Sequence, residues 1–154
     1  MSNREYTRRK IASYVFKEAW KYLKRTTIYS ISLALKLAWR TIRSKVRIYK
    51  SKVRGVSYKP RQRILKRLLN YSNEDIKLFF SREYSNMYDS NAISIMVKVN
   101  NKGIAKIGFV SKELAEILAP RLDAGYIAVV MFDKITGGRP GQKYLGCNFS
   151  YVLI

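Results

Sequence analysis

Residues 92 to 110 constrain most strongly what this chain can fold into. Ile93, Ile95, Val97 and Val99 alternate with Ser94, Met96 and Lys98, the period of two that sends successive side chains to opposite faces of a strand. Asn100-Asn101-Lys102-Gly103 follows, a turn sequence that doubles the chain back onto a second strand at 104 to 110. The same reading predicts strands at about 52 to 58, 75 to 83, 126 to 135 and 144 to 154.

Two helices interrupt the strands. One spans 61 to 69. The other, 111 to 118, has Ser111 as N-cap, Leu114, Ala115 and Leu118 on one face, and Pro120 and Gly125 just past its end. Six short strands with two short helices predict an α+β body, a small six-stranded β-barrel of OB-like or SH3-like kind. Gly137-Gly138-Arg139-Pro140-Gly141 reads as a hairpin loop between the last two strands, with ligand contact as the alternative.

Upstream of residue 52 the spacing is helical. Ile11, Val15, Ala19, Trp20 and Leu23 mark a first helix, and Thr26-Thr27 with Ser30 supply a break and an N-cap. Leu35, Trp39, Ile42, Val46, Tyr49 and Val53 mark an apolar stripe over 30 to 54. Beside it Lys36, Arg40, Arg43, Arg47, Lys50 and Arg54 recur at the same intervals, within an arc of about 80° on one helix. Such a line of cations would follow a nucleic-acid backbone; a solvated face is the plainer alternative. Residues 46 to 58 also fit the start of a strand, in which case the helix stops near Lys50. The expected organisation is therefore a basic helical hairpin over 1–51 and a β-rich domain over 52–154.

Charge narrows the partners. The chain has 31 Lys+Arg against 10 Asp+Glu, a formal +21, and residues 1 to 54 hold sixteen of the cations and two of the acids. A surplus of this size points to a polyanion, nucleic acid before an anionic membrane surface. There is no histidine and a single cysteine, Cys147, which leaves no Ser-His or Cys-His pair and no ordinary zinc set. Cys147 lies in an apolar stretch and is expected to be buried. Asp133, Asp123 and Glu116 are scattered at no metal-binding spacing, and no phosphate-loop motif is present. An enzyme and a cofactor are not expected. Nor is a spanning helix, since the apolar run from Ile28 to Trp39 is short and broken by Lys36.

One stretch carries chemistry of its own. Asn86-Met87-Tyr88-Asp89-Ser90-Asn91 precedes the strand at 92. Asn, Asp and Ser are turn formers there. Tyr88 offers a flat face for a base, and Asp89, an acceptor only, would take a hydrogen bond from a terminal hydroxyl or from a base N–H while disfavouring a terminal phosphate.

Arg82-Glu83-Tyr84-Ser85-Asn86-Met87-Tyr88-Asp89-Ser90-Asn91-Ala92-Ile93, followed by Ile107-Gly108-Phe109-Val110-Ser111-Lys112, with Gly55-Val56-Ser57-Tyr58 and Arg61-Gln62 upstream and Thr136-Gly137-Gly138 downstream, resembles the HIRAN domain. The resemblance runs from about residue 52 to the end. It implies a small DNA-binding β-barrel whose helicase-associated members capture a single-stranded 3′ end. Tyr88 and Asp89 match the aromatic and the aspartate that line the family's end pocket. The helicase-type Arg-Tyr-Tyr triplet stands here as Ser57-Tyr58-Lys59, keeping the central tyrosine and a cation. Phe109 occupies an aromatic or histidine position, to stack on a base or to fill the core. Lys112 occupies a basic one at a helix start, where it and the helix amides could hold a phosphate; Arg61 and Arg63 open the earlier helix, for the same end or for solvation alone.

The resulting expectation is a module that binds DNA, single-stranded or at 3′ ends, with little sequence preference and no motor of its own. RNA remains an alternative ligand. A second expectation is a phage-type accessory or counter-defence protein that docks on a nucleoprotein complex. Leu33 to Trp39 resembles short helices of phage and prophage proteins, which with the low cysteine content suggests a bacterial or phage-infected cytoplasm. An interfacial membrane helix at 30 to 54 is the third.

Overall fold

The computed structural model describes residues 3–42 and 47–154, with side chains from Arg9 onward. In chain order the elements are α1 (Asn3–Arg25), α2 (Ile31–Ile42), β1 (Tyr49–Lys52), α3 (Lys59–Leu68), β2 (Ile76–Arg82) and β3 (Ile93–Val99). A 3-10 turn (Asn100–Lys102) leads into β4 (Ile104–Phe109), α4 (Lys112–Asp123), β5 (Ala128–Thr136) and β6 (Gly146–Leu153).

The strands form two antiparallel three-stranded sheets, ordered β1-β6-β5 and β2-β3-β4. β5 lies beside β2, and the residue pair Arg54–Phe109 bridges the end of β1 to β4. Among the described residues the ladders do not close into a barrel. The alternation on β3 sets the inner face: Ile93, Ile95, Val97 and Val99 are all buried, and Ile76, Leu78 and Phe80 lie opposite members of that set on β2. Across the core, Phe80 meets Phe149 edge-on at 5.8 Å and Tyr151 at 5.9 Å. Leu65 and Leu68 of α3 and Ala115, Leu118 and Ala119 of α4 join the same cluster. Full burial of each large aliphatic contributes about 1.5–3 kcal/mol.

The helical hairpin packs on the outer face of the other sheet. Val15, Ala19, Tyr22, Ala34, Leu37 and Ala38 form one cluster with Val129, Met131 and Val152. Three alanines in that face let the helices approach closely, while the bulky Trp20 and Trp39, expected on it, stand 57% and 40% exposed. Tyr22 is fully buried with its hydroxyl 2.9 Å from Thr41 Oγ1. Ser30 caps α2 as expected, accepting from Leu33 N–H at 3.4 Å. Cys147 is buried, which pushes its thiol up to about 12. No helix among the described residues is long and apolar enough to cross a membrane.

Two expectations need correction. The helix expected over 30 to 54 ends at Ile42, and Tyr49–Lys52 pairs with β6 instead. Four residues make about one helical turn and also two strand repeats, so Tyr49 and Val53 satisfied both periods. Backbone pairing, stacking of Tyr49 on Tyr151 at 5.3 Å and burial of Val53 decide for the strand. α4 also runs past Pro120 to Asp123, because the proline sits on the exposed side while Leu118 and Ala119 hold the buried one. The chain then leaves at Gly125, whose φ of +97° suits glycine.

Candidate nucleic-acid interface

The loop from Glu83 to Ala92 is held by its own polar residues. Asn86 Oδ1 accepts from the backbone N–H of Tyr88 (2.9 Å) and of Asp89 (3.0 Å), and Asp89 Oδ1 accepts from Asn91 N–H at 2.8 Å. Arg82, at the end of β2, donates to the carbonyls of Ala92 and Ser90 and makes a bidentate pair with Asp123 of α4 at 2.9 and 3.0 Å. Tyr84 donates to the same Asp123 at 3.0 Å, under the Arg82 guanidinium 4.7 Å from its ring. Those bonds, Arg82 first, hold the Asp123 carboxyl below its usual range. Asp123 is thereby committed to anchoring the loop. Tyr88 projects from it 98% exposed, and Asp89 Oδ2 makes no hydrogen bond among the described residues.

A stack of rings and cations runs beside this loop. The Arg61 guanidinium lies 5.3 Å from the Tyr58 ring and 5.0 Å from the Phe109 ring, and Lys106 lies 5.0 Å from the other partner of the pair, Phe109. The order is Tyr58, Arg61, Phe109, Lys106. Lys106 pairs with Glu83, whose second oxygen accepts from Asn86 Nδ2 at 3.2 Å. Burial pushes the Glu83 carboxyl up, but the bonds from Lys106 and Asn86 outweigh it and hold the group below its usual range. The stack and the Tyr88–Asp89 loop are therefore linked through one carboxylate.

Local backbone geometry makes the stack. β3 and β4 shift register between Ile95 and Met96, which pair with Gly108 and Lys106, so Ile107 is the extra residue of a bulge. In a regular strand residues 106 and 109 would point to opposite faces. The bulge brings Lys106 and Phe109 to the same, outer one. Gly108 permits the close bridge beneath: Arg54 and Phe109 exchange backbone hydrogen bonds of 2.8 and 2.9 Å, and a Cβ on Gly108 would lie 2.3 Å from Arg54 O. Gly55, at φ +70°, accepts from Arg61 Nη1 at 2.7 Å and keeps the guanidinium against Phe109. Gln62 bonds Val56 O and both backbone groups of Leu145, tying the start of α3 to the segment that follows β1 and to the residue just before β6.

Of the sequence-predicted residues, Tyr58, Arg61 and Phe109 come together. Lys59 and Lys112 are exposed first residues of α3, which carries Arg61, and of α4, which begins shortly after Phe109 in the chain. Lys50 and Arg54 lie on the β1 side, and Arg47 rests 5.5 Å from the Tyr49 ring. The continuous line of six cations on one rod does not form: Lys36 and Arg40 are exposed on α2, Arg47, Lys50 and Arg54 follow in or beside the strand, and Arg43 lies outside the described residues. Lys106, Glu83 and Arg82 were missed as partners, since only the bulge and the folded loop bring them to the site.

The sequence model of the HIRAN domain matches residues 46–153. The chain belongs to the HIRAN domain family. HIRAN domains are nucleic-acid-binding modules, and the stack and loop of this HIRAN domain are built from residues inside the matched region. A crystal structure of a protein from Lactobacillus plantarum is similar at a TM-score of 0.46 and 19% identity, over 70% of this chain and 97% of that one. No curated protein matches the chain.

Proposed function

We propose that this HIRAN domain binds single-stranded DNA and captures its 3′ end, without strong sequence preference and without catalysis of its own. The observation that carries the reading is the alternation of Tyr58, Arg61, Phe109 and Lys106. Flat rings take bases of any identity, and interleaved cations meet the phosphates between them. The neighbouring Asp89 has one oxygen committed to Asn91 N–H and offers the other to a terminal hydroxyl. A terminal phosphate there would face a carboxylate.

The test is competition between oligonucleotides that differ only in a 3′-hydroxyl or a 3′-phosphate. The hydroxyl form is expected to win by about tenfold, the scale of one hydrogen bond to a charged group. Asp89→Asn, which keeps the turn acceptor and removes the charge, should erase the preference. Equal binding of both forms by the unaltered protein would defeat the end-capture reading.

Docking on a nucleoprotein complex is favoured by a different observation. Phe16, Trp20 and Ile31 stand 57%, 57% and 61% exposed around a groove between α1 and α2. A pull-down that survives nuclease, and is lost in Trp20→Ser, would support that role.

A further inference from the structure

The outer surface of β1 carries a second cationic feature that the end pocket does not use. Lys50, Lys52 and Arg54 alternate with Ser51 and Val53, and the three cations are exposed while Val53 is buried. Residues two apart on a strand recur every 6.6 Å or so on the same face, close to the separation of successive phosphates in an extended single strand. Across the sheet Lys52 pairs with Asn148, and Asn148 with Lys134, which extends the row onto β5. Arg25, the last residue of α1, closes the other side.

Together these residues line an open cleft of 690 Å³ between the helical hairpin and the sheet. It holds five cations and one acid, Asp133, which Arg25 approaches at 3.9 Å and Ser150 bonds at 2.6 Å. Arg25 Nε and Asn148 Oδ1 are buried there with no hydrogen-bond partner among the described residues. Arg25 belongs to the helical segment outside the family match.

The cleft and the ring stack are continuous. Arg54 lines the cleft and pairs directly with Phe109, so its side chain shares the outer face with that ring. We infer that Arg25, Lys134, Lys50, Lys52 and Arg54 form a track that holds the phosphate backbone of the strand whose end occupies the Tyr58–Phe109 and Tyr88–Asp89 site. This rests on the end-binding reading and deepens it: the ligand is a single strand long enough to reach from the stack across β1. The track grips phosphates alone and adds length-dependent affinity.

The experiment compares 3′-hydroxyl oligothymidylates of about five and about fifteen nucleotides by fluorescence anisotropy across a salt series, in the full chain and in Lys50→Gln/Lys52→Gln/Lys134→Gln. In the unaltered protein the longer strand should bind at least about tenfold more tightly, with a steeper salt dependence. The triple variant should lose that gain and flatten the log–log slope for the long strand by about 2, at about 0.7 per phosphate contact. Its affinity for the short strand should stay within about threefold. Equal losses at both lengths, or a length gain that survives the substitutions, overturn the track. In either case a retained 3′-hydroxyl preference shows that the end pocket still stands. An unaltered protein with no 3′-hydroxyl preference but a length gain lost in the variant would sink the pocket and keep the track as a backbone site. Failure to bind either strand sinks both.

Discussion

Tyr58 and Gly108 show how differently two residues of one site are constrained. Tyr58 is 62% exposed and touches little beyond the Arg61 guanidinium. Tyr58→Ala should therefore leave stability within about 0.5 kcal/mol by chemical denaturation, as surface substitutions do. Binding to a single strand should weaken by about 1–3 kcal/mol, the scale of one lost base stack. Gly108 touches no ligand in this reading, yet a Cβ there would lie 2.3 Å from Arg54 O. Backbone cannot swing aside as a side chain can. Gly108→Ala should cost about 1–3 kcal/mol of stability, and binding should fall because the Arg54–Phe109 bridge opens. Tyr58, Arg61 and Phe109 were legible in sequence, as aromatic or basic residues flanking family-like glycines. Lys106 was not, since a residue's facing on a bulged strand depends on the partner strand's register.

At the level of elements, the loop between β2 and β3 depends on ion pairs that protonation removes. Glu83, bonded to Lys106 and Asn86, has a carboxyl held below its ordinary value of 4.5. A depressed carboxylate stabilises the folded state fully above its unfolded value, and that stabilisation is lost as pH falls through the folded one. Asp123, held down by Arg82, shifts in the same direction. Backbone amide protection in residues 83 to 92 should thus decrease as pH drops below about 4.5, before the core strands respond. Glu83→Gln should show weaker protection at neutral pH and less change on acidification. The elements themselves were read well where one period prevailed, as on β3. They were misread at β1, where Tyr49 and Val53 fit helix and strand alike and only pairing with β6 distinguishes them.

For the molecule as a whole, the helical hairpin and the sheet share a buried surface. Leu37, fully buried, lies in the cluster that also contains Val129, Met131 and Val152. Leu37→Ala should destabilise the protein by about 2–5 kcal/mol through lost burial and the cavity left behind. Unfolding followed by tryptophan fluorescence, which reports α1 and α2 through Trp20 and Trp39, should coincide with unfolding followed by circular dichroism of the whole chain. Two separated transitions would mean that the hairpin and the β-rich body fold as independent units. The high positive charge and its concentration in residues 1 to 54 were legible from the sequence, but the gathering of cations around one cleft was not. Arg25 reaches the cleft only because α1 ends where the sheet's outer face is left uncovered.

With Ile107 as the odd residue out, the stretch from Lys106 to Phe109 obeys a rule of parity. Remove Ile107 and the side chains of Lys106 and Phe109 stand two apart on a regular strand, still on one face; straighten the strand with all four residues in place and they part to opposite faces. Relatives that keep the ring beside its cation without a bulge are expected to be one residue shorter at this point.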